Sequence, residues 1–85
     1  MDTAKIIRHL NDRQVLVELS SRRLGSDFIV SSFNHVSEVW SEKETFLFLA
    51  NEDGEITKWL ELPGSFRGDH DHGRAISGAG FTLIP

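Results

Sequence analysis

Eighty-five residues make room for one domain, 1–85, because a second would leave neither half enough apolar surface to offset the entropy of ordering its chain. With 39% hydrophobic residues, six Phe and two Trp, the chain is too apolar for intrinsic disorder and too interrupted for a membrane span. The net charge of −4 is uneven: residues 1–23 hold five bases against three acids, the remainder four bases against ten acids, seven of them between Glu38 and Glu61. A broad basic surface for nucleic acid is therefore disfavoured.

The absence of Cys removes disulfides and thiolate metal sites, so stability has to come from packing, alone or helped by oligomerisation. Asp2, Lys5 and Arg8 interrupt the first turns without the long apolar run of a signal peptide, and the expected compartment is the cytoplasm.

In chain order, Asp2 or Thr3 can cap a short N-terminal helix with Ile6, Ile7 and Leu10 on one side and Asn11 as terminator. The competing expectation makes Lys5 to Leu10 the first arm of a hairpin turning at Asn11-Asp12. In Gln14 to Leu19, Val15, Val17 and Leu19 alternate with Leu16 and Glu18, a period-two pattern rich in β-branched residues that predicts a strand. Ser20 to Asp27, with Arg22, Arg23 and Gly25, reads as a loop. Phe28 to Phe33 resumes the strand pattern, and Asn34-His35 has turn chemistry that would let Val36 to Trp40 run back against it.

The strongest local signal is Thr45 to Ala50, then Asn51-Glu52-Asp53-Gly54, then Glu55 to Leu62: two strands around a Gly-containing turn. Phe46, Phe48 and Ala50 take one side of the first arm, and Thr45, Leu47 and Leu49 the other, so this strand is expected to be central. A four-residue loop would pair Phe46 with Trp59, a three-residue loop Leu47 with Trp59. Pro63-Gly64 ends the second arm. Asp69 or Asp71 can cap a short helix ending near Gly78 or Gly80, and Phe81 to Ile84 can add a last strand.

The densest polar cluster is Asp69-His70-Asp71-His72, in which His70 and His72 could ligate a divalent ion with His35 or His9. No HExxH, EF-hand or Cys-based spacing supports that, and a solvated loop capping a helix accounts for the same residues. Gly64-Ser65-Phe66-Arg67-Gly68 offers backbone freedom, a hydroxyl and a guanidinium that suit a phosphate or carboxylate. The plainer expectation is a surface connection with Phe66 tucked under it and Arg67 paired to an acid. Arg22 and Arg23 extend the possible anion-binding set. The nine Ser and four His lack any activating context such as Gly-x-Ser-x-Gly, and a domain of this size has little room for a water-excluded cleft.

Trp59 alternates with Glu55, Thr57 and Glu61 on the less apolar side of its arm, opposite Ile56, Leu60 and Leu62. An indole there needs cover, either from the N-terminal helix or from a second chain. Together these features predict an α+β domain, a small, mainly antiparallel sheet of about five strands with one or two short helices, N-terminal and near the C-terminus. The expected function is non-enzymatic: a cofactor-free binding module that self-associates or binds another protein, with Trp59, Phe46, Phe48 and Trp40 as interface candidates. One alternative is a small anionic, nucleotide-like ligand held by Arg67, Ser65, Gly64 and Gly68 with Arg22 or Arg23 at a subunit boundary. The other is a phage or mobile-element inhibitor that docks its acidic face on a basic groove of a host protein.

Overall fold

The computed structural model describes residues 2–37, 39 and 42–85. Among these, seven strands and one helix follow in order: β1 (Thr3–Asn11), β2 (Gln14–Arg23), β3 (Ser26–Phe33), β4 (Glu44–Ala50), β5 (Ile56–Lys58), β6 (Phe66–Arg67), α1 (His72–Gly78) and β7 (Thr82–Ile84). They make one sheet in the order β5-β4-β3-β2-β1-β7, with β6 also on β4. All of these ladders are antiparallel except β1–β7. The result is a small α+β domain with a mostly antiparallel sheet, two strands richer and one helix poorer than the fullest expectation. No helix among the described residues is long and apolar enough to cross a membrane.

The N-terminal helix does not form; its residues are β1, the first arm of the hairpin that turns after Asn11. Two turns of isolated helix are marginal in water, whereas the extended chain pairs with the β-branched run of β2, Ile6 opposite Val17 and His9 opposite Val15. The Asn11 side chain closes the turn by accepting the Arg13 backbone N–H at 2.9 Å. The expected loop at 20–27 is also mostly ladder: β2 continues to Arg23, which pairs with Ser26. Leu24 and Gly25, at φ +50° and +82°, make the tight turn with two left-handed residues that matches the twist of the flanking strands.

Among the described residues β3 does not pair in a ladder with Val36, Ser37 or Val39 of the expected return arm, and Glu38 lies outside them. The strand lies between β2 and β4, with Val30 opposite Phe48, and Trp40 itself lies outside the described residues. The β4–β5 hairpin is present, but its second arm is shorter than expected. Ala50 pairs with Ile56 and Leu49 with Lys58, so a bulge opposite this step shifts the phase by one residue. Ile56 thereby joins the side of Phe28 and Ala50, and neither expected pairing of Trp59 occurs because the ladder ends at Lys58. Instead Leu62 N–H returns to the Leu47 carbonyl at 2.8 Å.

One side of the sheet carries Val15, Val17, Leu19, Ile29, Leu47 and Leu49, over which α1 lays Ala75 and Ile76 and its C-cap Ala79. Asp71 caps the helix, as expected, by accepting the Arg74 backbone N–H at 3.0 Å. Gly64 lets the preceding turn press against the helix. Its φ is +107°, and a Cβ there would fall on the Ala75 carbonyl oxygen and within 2.8 Å of the Ala79 nitrogen.

The other side holds Leu16, Val30 and Ala50, with Leu10, Phe28 and Ile56 around them. In a flat sheet β1 and β4 stand about 14 Å apart, three strand spacings, yet Arg8 Nη2 donates to the Asp53 carbonyl at 2.7 Å. The tip of the β4–β5 hairpin therefore folds across this face and lands on β1. Gly54 makes the landing possible: its φ is +87°, and a Cβ would stand 2.6 Å from Leu10 Cδ2. Leu16 and Val30 are fully buried as a result.

Candidate binding surface

Beyond the hairpin tip, no other element among the described residues covers the second face. The alternation of β4 sends Phe46 and Phe48 to this side, their rings 6.0 Å apart, and Phe48 meets Trp59 at 5.2 Å with the planes tilted by 60°. Both Phe are half-buried. Trp59 is 75% exposed and its neighbour Leu60 61% exposed. With β1 in place of the expected helix, the cover proposed for the indole from within the chain is absent, and the bulge at β5 places Ile56 beside this strip instead of behind it. Leu60 escaped notice in the sequence because simple alternation puts it on the same side as Leu62, which is buried; the short β5 ladder releases it.

A second cluster lies at the start of α1 on the helix side. His72 Nδ1 and Ser31 Oγ share a hydrogen bond of 2.6 Å, and Ser31 is fully buried. Phe33 stacks on His72 at 3.8 Å and on His70 at 4.5 Å, and His70 Nε2 meets Asn34 Oδ1 at 2.8 Å. Thr45 Oγ1 donates to the Asp69 carbonyl and accepts the Asp71 N–H, tying the same loop to β4. Burial pushes the His72 imidazole down to about 4; His9 and His70 push the same way, and Asp71 opposes them. The arrangement is a clasp that seats the helix. Ser31 was missed in the sequence, although its place between Ile29 and Phe33 in a period-two pattern puts its hydroxyl on the buried side, where it requires a partner. His70 and His72 are thus brought together, but no group of three His, Asp or Glu among the described residues is placed to hold a metal ion.

The Gly64 to Gly68 segment is tied into the sheet edge. Ser65 Oγ accepts the Leu47 N–H at 2.9 Å and donates to the Leu62 carbonyl at 2.8 Å, filling the gap in the β4 ladder between β5 and β6. Arg67 pairs with Glu44 at 3.4 Å, Gly68 N–H donates to the Lys43 carbonyl at 2.7 Å, and Phe66 packs against the core under the Arg74 guanidinium. Arg22 pairs with Asp27. Arg23 donates to the Ala79 carbonyl just past the helix C-terminus and lies over Phe81. Arg67 sits at the Glu44 end of β4 and Arg23 near its Ala50 end, where Ser26 reaches the Ala50 carbonyl. Within one chain the two ends are separated by about 20 Å of strand. A cavity of about 120 Å³, lined by Thr3, Lys5, Glu18, Leu19, Ser20 and Ile84, is small beside the several hundred Å³ usual for a small-molecule site.

No protein-family model, curated protein or solved structure matches this chain.

Proposed function

We propose that this chain is a non-enzymatic interaction module that holds another protein chain against the strip formed by Phe46, Phe48, Trp59 and Leu60. The observation that carries this is Trp59, the largest apolar side chain type, left 75% exposed on top of a half-buried Phe. Covering an indole recovers roughly 2 kcal/mol of transfer free energy, and Trp and its aromatic neighbours are the residues that dominate protein contacts. The polar clusters elsewhere are engaged in seating the helix and closing the sheet edge, which supports assigning contact to the strip.

A second copy of the chain is the occupant that the sequence points to first, and molar mass in solution tests it by light scattering from dilute to concentrated protein. The strip itself is tested by acrylamide quenching of Trp59 fluorescence in a Trp40→Phe background. Emission typical of a wet indole, readily quenched in the dilute chain, is the expected result. An indole shielded in the single chain would overturn the assignment, because the surface would then be internal.

A further inference from the structure

The strip does not sit on neutral ground. Between residues 42 and 61 there are six acids, Glu42, Glu44, Glu52, Asp53, Glu55 and Glu61, against Lys43 and Lys58, while the rest of the chain balances seven acids with seven bases. The whole net charge of −4 therefore resides on the segment that carries Phe46, Phe48, Trp59 and Leu60. Among the described residues only Glu44 of these six is in an ion pair, with Arg67. The other five are exposed: Glu42 just ahead of β4, Glu52, Asp53 and Glu55 on the hairpin tip that crosses this face, and Glu61 two residues beyond Trp59.

Two copies meeting on the strip would set these carboxylates against each other within a Debye length, about 8 Å at physiological salt, and like charges across an interface suppress pairing. A cationic partner meets the opposite condition. Its Lys or Arg groups find carboxylates at both ends of the strip, and the exposed indole face attracts a cation directly. The same carboxylates repel nucleic acid and anionic lipid. We infer that the strip receives a cationic segment of a different protein, an apolar or aromatic anchor flanked by Lys and Arg. This rests on the strip being the contact surface and chooses its occupant.

The test is a fluorescence titration of the Trp40→Phe protein with a short synthetic peptide carrying a Phe-Leu anchor between Lys-Arg pairs. Two controls are used: the same anchor with Glu in place of every base, and the same Lys-Arg pairs on a Gly-Ser chain without the anchor. The anchored cationic peptide binds at least about tenfold more tightly than either control, a difference typical of steering by complementary charge together with an anchor. Its affinity falls severalfold on raising salt. Trp59→Ser, read by the anisotropy of a dye on the peptide because no indole then remains, abolishes it, and Glu52→Lys/Glu55→Lys/Glu61→Lys reduces it about tenfold with an unchanged far-UV circular dichroism spectrum; if the triple variant does not fold, Glu61→Lys alone serves. Absence of binding, or equal binding of the Glu-substituted peptide, overturns the inference. A Trp59-dependent dimer overturns it too while keeping the strip as contact surface, whereas a shielded indole removes both.

Discussion

β4 shows two different surfaces from a single strand. Thr45, Leu47 and Leu49 turn to the helix side and are buried there, with Thr45 bonded to the Asp69 carbonyl and the Leu pair under α1. Phe46 and Phe48 turn the other way and stay half-buried, with an open Trp beside them. Covering the first side takes α1, the Pro63–Gly64 turn and the His72–Ser31 clasp; among the described residues the second is covered by the hairpin tip alone, which reaches Leu16 and Val30 and stops. A chain of this length has enough elements to close one face and part of another, and what it leaves open is aromatic and surrounded by charge. The closed face supplies stability and the open one is available for contact.

The sharpest way to break this comparison uses two adjacent residues. Leu47→Ala removes buried volume beneath the helix and should cost about 3 kcal/mol, as full truncations in closed cores do. Phe48→Ala, although the larger deletion, should cost about 1 kcal/mol, because its ring is already partly wet and the cavity fills with water. Urea unfolding of both variants reads the difference directly. Equal costs would mean that the second face belongs to the core and is not a surface for partners.

Acid should act on the closed face through His72. The His72 imidazole takes its proton at about 6.5 when unfolded and only at about 4 in place. In between, the unfolded chain binds more protons, so stability declines as pH falls through that window and levels off below it. Screening at a partly exposed ring limits the loss to about 1 kcal/mol. Denaturation midpoints measured from pH 7 to pH 4 in wild type and His72→Gln should differ in slope, with the variant flatter. Parallel slopes would mean that His72 is not the group that loosens the helix.

Much of this was legible before the fold was known, and the failures have a common cause. The β4–β5 turn, the Asp71 cap and the final strand rest on local chemistry, which short windows of sequence carry. Residues 3–10 offered both a helix and a strand, and the decision was made by β2, a partner visible only in three dimensions. The bulge that moves Ile56 to the side of Trp59 has no signature in the segment itself, because alternation assumes an unbroken ladder. The fold of the hairpin tip onto Leu10 was likewise illegible: it depends on sheet twist bringing β1 within reach of Gly54, which no spacing along the chain encodes.

The smallest effect on stability should come from the residue with the largest role in contact. Trp59 lies outside the ladder, is mostly exposed, and meets Phe48 in a tilted ring contact. Replacing it with Ser removes little that the isolated chain has buried, and it spares the helix, the clasp and the hairpin tip. The urea midpoint of Trp59→Ser should therefore stay within about 0.5 kcal/mol of wild type, as for exposed sites without special partners, with the denaturant slope unchanged. A loss as large as that of Leu47→Ala would show an indole integral to the core, and the contrast between the two sides of β4 would then have to be abandoned. An unchanged midpoint combined with lost binding separates contact from folding, since a residue retained for neither packing nor partner has no reason to leave so much apolar surface in water.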